Sequence, residues 1–244
     1  MNTENTFPTT LLIPGHWLGA WAWDDVVAHW GDGRSSVVAL TLPGLDPADP
    51  RRVSRTLDDQ VAAILRVAEE HSVSPENPCV IVAHSGANAP VCVFLDAHPE
   101  WVRRVIWVES GPVAPGTVFA PDLPAEVEEL PLPDWNSLGA QVSLDGLDER
   151  SLERFRAGAV PQPAAVLRAA VELPHDAGRR VPATFVCCSF ASEQVRQAAS
   201  AGHPMFAEVA RLEDVEMVDV PTGHWPMWSR PLELARVLRD ASRR

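Results

Sequence analysis

A serine framed by small residues follows an apolar run: residues 79–83 lead directly into Ala83-His84-Ser85-Gly86-Ala87. A strand that turns at once into a helix lifts such a hydroxyl clear of its surroundings. The turn also aims the next N–H groups, at a helix N-terminus, toward the atom under attack. The backbone at that serine is strained, and bulky neighbours would collide, so small residues two before and two after it are needed. Alanine fills both outer positions, where glycine is usual. A serine that merely caps a helix would look the same locally, so its partners matter.

Two histidines suit it. The last apolar run ends in Pro221-Thr222-Gly223-His224-Trp225-Pro226. A histidine on a loop just past a strand end is placed to act as general base for Ser85. The first run ends in Ile13-Pro14-Gly15-His16-Trp17. Gly15 permits a sharp turn that lets the His16 N–H face the serine. The N–H groups of His16 and Gly86 would then form an oxyanion hole. The His16 side chain either touches substrate or serves as a wall.

These loops need a scaffold that brings them to one place. Six short runs rich in β-branched residues recur at 9–13, 36–42, 79–83, 102–108, 183–188 and 215–220. Near-continuous apolar runs of this kind suit strands covered on both faces. Helical patterns separate them. Residues 58–70 place Val61, Ile64, Leu65 and Ala68 on one face; residues 231–241 group Leu232, Leu234, Val237 and Leu238 behind a leading proline. The alternation implies an α/β fold with a mainly parallel sheet flanked by helices. Residues 111–180 interrupt it. They read as strand-free, rich in Pro and Glu up to Asp134, then helical over 148–155 and 164–172. A stretch of that length is too long for a simple connection. It reads as a mostly helical cap inserted after the strand ending near Glu109, over a core of residues 1–110 and 181–244. Trp135 and the leucines of the cap would bury against that core.

Composition narrows the partners. The net charge is −13, from 33 acidic and 20 basic residues; Lys and Tyr are absent, and every basic residue is Arg. That disfavours nucleic acid and anionic membranes, and leaves a small-molecule substrate. The missing tyrosines exclude a phenol as oxyanion donor or proton shuttle. Monomer and homodimer both remain open. Residues 1–10 are polar without a basic n-region, so no signal peptide is expected, and no apolar stretch approaches the ~20 residues of a membrane span. The four cysteines, Cys79, Cys92, Cys187 and Cys188, show no zinc or disulfide spacing and read as buried free thiols in a cytoplasmic protein. The remaining histidines lack ligand spacing, so no metal is expected; His84 reads as packed behind the turn. Glu126-Val127-Glu128-Glu129 reads as a solvated face.

Four pieces in this order resemble the α/β-hydrolase superfamily, and most of all its small esterase and hydroxynitrile-lyase-type branch. They are LLIPGHWLGAWAW (11–23), LTLPGL (40–45), VIVAHSGA (80–87) and TGHWPMWSRPL (222–232). The resemblance implies a Ser–His–acid triad, a lid and no cofactor. It also implies an acid just after the penultimate strand, and there this chain departs. After Cys188 only Glu193 is near, and it comes late. Glu109, directly after the run at 102–108, is the preferred acid because a charge leaving an apolar strand is costly without a partner; Glu193 is the alternative acid. The expectation is a serine hydrolase of an ester or lactone. Trp17, Trp21, Trp135, Trp225 and Trp228 suggest an apolar substrate, with Trp17, Trp135 and Trp225 as contacts and at least two of the five in the core. A lyase or intramolecular cyclase using the same groups, and a ligand receptor with an idle triad, are the alternatives.

Overall fold

Strands that must hide both faces can do so only between two helical layers. The computed structural model describes residues 7–32 and 36–244 and realises that arrangement. The chain runs β1 (Thr10–Ile13), α1 (Asp24–Ala28), β2 (Val37–Ala39), α2 (Leu57–Glu70), β3 (Cys79–His84), α3 (Asn88–Ala97) and β4 (Val102–Val108). It continues through β5 (Glu129–Leu130), α4 (Trp135–Gly139), α5 (Glu149–Gly158), β6 (Gln162–Pro163) and α6 (Ala164–Arg168). It closes with β7 (Ala183–Cys187), α7 (Ser192–Ser200), β8 (Val215–Asp219), α8 (Pro226–Ser229) and α9 (Pro231–Ser242).

Six strands form one parallel sheet in the order β2-β1-β3-β4-β7-β8. Alternate residues feed two separate cores. Leu11, Ile81, Val105 and Phe185 face one way, onto α2, α3 and α7. Leu12, Val82, Ile106 and Val186 face the other, onto α1, α8 and α9. Parallel pairing sends the C-terminal ends of β1, β3, β4, β7 and β8 to a single edge. The loops bearing His16, Ser85, Glu109, Ser189 and His224 all leave from there. Among the described residues no helix is long and apolar enough to cross a membrane.

Local chemistry sets the helix ends. Thr56 caps α2 by accepting from Asp59 N–H at 3.2 Å, while the Asp59 carboxylate accepts from Thr56 N–H at 3.0 Å. In α9, Leu232 faces solvent rather than the core, because it lies two residues from Leu234 and so on the opposite side of the helix. Leu234, Ala235, Leu238 and Ala241 form the buried face instead.

The stretch between β4 and β7 differs from the strand-free reading. β5 and β6 pair as a short antiparallel ribbon, Glu129 opposite Pro163 and Leu130 opposite Gln162. Two-residue strands carry no periodicity, which is why the sequence hides them. Glu129 is no solvated charge: both its oxygens meet the Arg52 guanidinium, the second at 3.0 Å. α6 stops at Arg168 rather than running to 172, because Val171 exchanges backbone bonds with Gly116 (2.8 Å) and Thr117 (2.9 Å). The short helix α4 was not apparent in the sequence. It starts where Asp134 accepts from the N–H groups of Asn136 and Ser137.

Candidate active site

Ser85 leaves β3 with φ of +49°, a left-handed conformation that a residue with a side chain adopts only when its surroundings impose it. Ser110, just past β4, donates its hydroxyl to the Ser85 carbonyl at 2.7 Å and braces the turn. Gly15 allows the first loop to approach, since a Cβ there would stand 2.8 Å from the Ser85 Cβ. Gly86 has the imidazole of His16 lying directly against it, where any side chain would collide. The N–H of His16 has no acceptor among the described residues.

His224 Nε2 lies 2.8 Å from Ser85 Oγ. Its Nδ1 lies 3.4 Å from Glu109 Oε2. A carboxylate only accepts, so Nδ1 carries the proton and Nε2 is left free to accept from the serine hydroxyl. The main chain of His224 is held from both sides. Its N–H donates to Ser143 O at 2.9 Å, and its carbonyl accepts from His84 Nε2 at 2.8 Å. Gly223 N–H donates to Asp145 O at 3.0 Å, so the 143–145 stretch lies as a strip of backbone beside the histidine loop.

Glu109 also adopts a left-handed conformation, with φ of +46°, which swings its side chain across to β7. Oε1 accepts from Cys188 N–H at 2.7 Å and Ser189 N–H at 3.0 Å, and the Ser189 hydroxyl binds Oε2. Burial pushes this carboxyl pKa up. The hydrogen bonds from His224, Ser189 and Cys188 outweigh that and hold it below the ordinary value. Glu193 lies elsewhere: it is exposed in the first turn of α7, bonded to Gln197 at 2.8 Å. The structure therefore brings Ser85, His224 and Glu109 together and leaves Glu193 apart. Sequence reasoning missed the bracing roles of Ser110 and Ser189; only Ser189's place at the end of β7, where an acid was sought, was a signal.

Two further histidines crowd the serine. Burial, with His224 adding to it, pulls His16 down to about 4 and His84 down to about 3. His84 is 1% exposed, and its Nδ1 has no partner among the described residues. Its folded pKa lies below the unfolded value of about 6.5, so acid favours the unfolded chain. The penalty is absent above about pH 7 and grows by about 1.4 kcal/mol per pH unit on acidification, down to the folded pKa. We predict that His84→Gln flattens the fall of unfolding free energy between pH 6 and pH 4 by about one bound proton, measured by urea denaturation. An unchanged slope would show that this histidine is protonated in the fold.

A cavity of about 1070 Å³ opens beside His224 and Glu109. Trp17, Trp135 and Trp225 do not line it, contrary to the expectation from sequence. Trp225 is 2% exposed, and all three pack into the apolar cluster around Phe155 and Trp228. Indole rings offer large apolar faces, and these are used to fasten α4 and α5 to the sheet. Phenylalanines line the cavity instead: Phe119, Phe185, Phe190 and Phe206. Among the described residues, no group of His, Cys, Asp or Glu could hold a metal ion. The four cysteines are free and buried, and burial raises Cys79, Cys92 and Cys187 to about 12, far from a reactive thiolate.

The sequence pattern of the alpha/beta hydrolase family matches residues 10–237. The chain belongs to the α/β-hydrolase family. A relative in Arabidopsis thaliana, putative methylesterase 14, chloroplastic, is 28% identical over 108 residues. That stretch covers 43% of this chain and only 30% of the relative's length. Among solved structures, an extracellular α/β-hydrolase from a Paenibacillus species superposes with a TM-score of 0.74 at 16% identity, over 96% of this chain and 98% of that one. Tomato methylketone synthase I gives 0.70 at 16%, over 97% and 98%. A pyrethroid hydrolase from Sphingobium faniae gives 0.65 at 19%, over 97% and 98%. At these identities the likeness establishes the fold of this α/β-hydrolase, and its chemistry has to be argued from its own residues.

Proposed function

We propose that this α/β-hydrolase cleaves a carboxylic ester or lactone of a largely apolar small molecule through an acyl-enzyme. One observation carries the reading: Ser85 Oγ, the His224 imidazole and the Glu109 carboxylate stand in hydrogen-bonded sequence at one sheet edge. Ser85 attacks the carbonyl carbon as His224 Nε2 takes its proton. The N–H groups of His16 and Gly86 hold the oxyanion. Glu109 keeps His224 in the useful tautomer and stabilises the imidazolium. The proton then passes to the leaving alcohol, and water, activated by His224, releases the acid. The partial likeness to a protein named as a methylesterase supports an ester as substrate. Buried free thiols support a reducing, cytoplasmic setting.

Residues 111–180 act in this reading as a cap that also steadies the base. A Cβ at Gly223 would come within 2.6 Å of Asp145 O and 2.8 Å of Ser143 O. Gly223→Ala therefore pushes the cap strip away from the histidine loop. A displacement of about 1 Å costs up to ~10² in rate. We expect kcat to fall by ~10 to 10² with KM changed far less. A normal kcat would show that the cap does not steady His224.

The test of the function is a panel of 4-nitrophenyl esters of increasing acyl length, with intact protein mass measured during turnover. Hydrolysis with a transient acyl mass on Ser85 is expected. Turnover without any acyl adduct would replace the acyl-enzyme by lyase or cyclase chemistry. Tight binding without turnover would make the protein a receptor.

A further inference from the structure

The cavity beside His224 has an unusual electrostatic character. Apart from the Cys187 thiol, its ionisable lining groups are Glu109, Asp145, Glu208 and His224; no arginine lines it, and the chain contains no lysine. Glu208 pairs with Arg211 at 3.0 Å and Arg179 at 3.7 Å, neither of which borders the cavity. Three polar side chains beside the serine already have acceptors. Ser110 donates to Ser85 O, Asn88 to Gly111 O at 3.1 Å, and Ser189 to Glu109. An anion entering would leave water and find no arginine or lysine along the lining to replace it.

The apolar surface is equally specific. Phe185, Val195 and Val209 form buried wall, at 3%, 5% and 7% exposure. At the rim stand Phe119, Phe190 and Met205, at 38%, 48% and 67%. They are three of the five large apolar side chains that are exposed among the described residues, and all three border this one cavity. Clustered exposed apolar side chains mark a binding surface, whereas scattered ones do not. The cavity volume lies just above the roughly 300–1,000 Å³ range of sites that enclose drug-sized ligands.

We infer that the cavity selects substrates whose bulky portion is apolar and uncharged, and rejects those carrying a carboxylate or phosphate away from the scissile bond. The inference deepens the ester-hydrolase reading and rests on it only for where the reacting bond lies. The walls supply apolar contact at the rim and interior, and the carboxylates exclude anions by repulsion and desolvation.

The experiment uses Ser85→Ala, which binds without turning over, and two ligands: methyl decanoate and the monomethyl ester of decanedioic acid. They differ only by a terminal carboxylate. Calorimetry should show the neutral ester binding at least ~50-fold more tightly. Adding Phe190→Arg places a cation at an exposed rim position; it should narrow that ratio by at least ~5-fold with little change in Tm. Affinities within about threefold of each other, or a ratio that Phe190→Arg leaves unchanged in a folded variant, overturn the inference. The underlying reading fails separately: wild type would then hydrolyse neither ester while the difference in binding persisted.

Discussion

Ser85→Ala should lower kcat on any ester the wild type hydrolyses by ~10⁴ to 10⁶, because in the proposed acyl-enzyme route the attacking oxygen is gone and the residual rate comes only from binding and the oxyanion donors. A fluorophosphonate probe should label wild type at one residue and leave this variant unlabelled. Labelling that survives would place the nucleophile elsewhere. Stability gives an independent readout. Ser85 sits at φ +49°, and alanine keeps the Cβ responsible for the strain, so Ser85→Ala retains it. Ser85→Gly removes it. The glycine variant should be more stable than the alanine variant by about 1 kcal/mol, although glycine ordinarily weakens a fold by its unfolded-state entropy. Equal stabilities would mean that the turn carries no strain.

Glu109→Gln should reduce kcat by at least ~10² at neutral pH, against less than ~10-fold for Glu193→Gln. The asymmetry follows from partners. The Glu109 carboxylate accepts from His224, Cys188 N–H, Ser189 N–H and the Ser189 hydroxyl, whereas Glu193, exposed at the surface, accepts from Gln197. An amide has one accepting oxygen. It cannot serve both the β7 backbone and the imidazole, and its NH2 favours the wrong tautomer of His224. The depressed Glu109 pKa has a sign for stability as well. The contribution is present above the ordinary carboxylate value of 4.5 and is lost as pH falls through the lower folded value. Because Ser189 Oγ touches the same carboxylate from β7, Ser189→Asp added to Glu109→Gln should return part of the lost kcat. If Glu193→Gln proves the damaging change, the acid has been misassigned.

The inner strands β1, β3, β4 and β7 were legible because both their faces are covered, and double burial leaves a continuous apolar run that needs no knowledge of its neighbours; the edge strands β2 and β8 are only partly buried and are read from their β-branched residues. Ser85 and His224 stood out for a related reason. A strained turn demands small residues within two positions, and a loop past a strand end is recognisable from the run before it. Those demands are local, so they are written locally. The choice between Glu109 and Glu193 is of another kind. Both follow strands that end at the same sheet edge, and what separates them is that β4 and β7 are neighbours, with the N–H groups of Cys188 and Ser189 turned toward Glu109. The same holds for Glu129, which reads as part of an acidic run until Arg52 arrives from a distant loop. It holds for the tryptophans, whose apolar faces suit a core and a substrate wall equally. Sequence by itself determined the six strands of the sheet and helices such as α2 and α9, and it pointed to Ser85 and His224, whose backbone setting is local. Tertiary structure alone decided which acid meets the imidazole, which aromatic rings line the cavity and which charge is paired, because each depends on contacts between segments far apart in the chain.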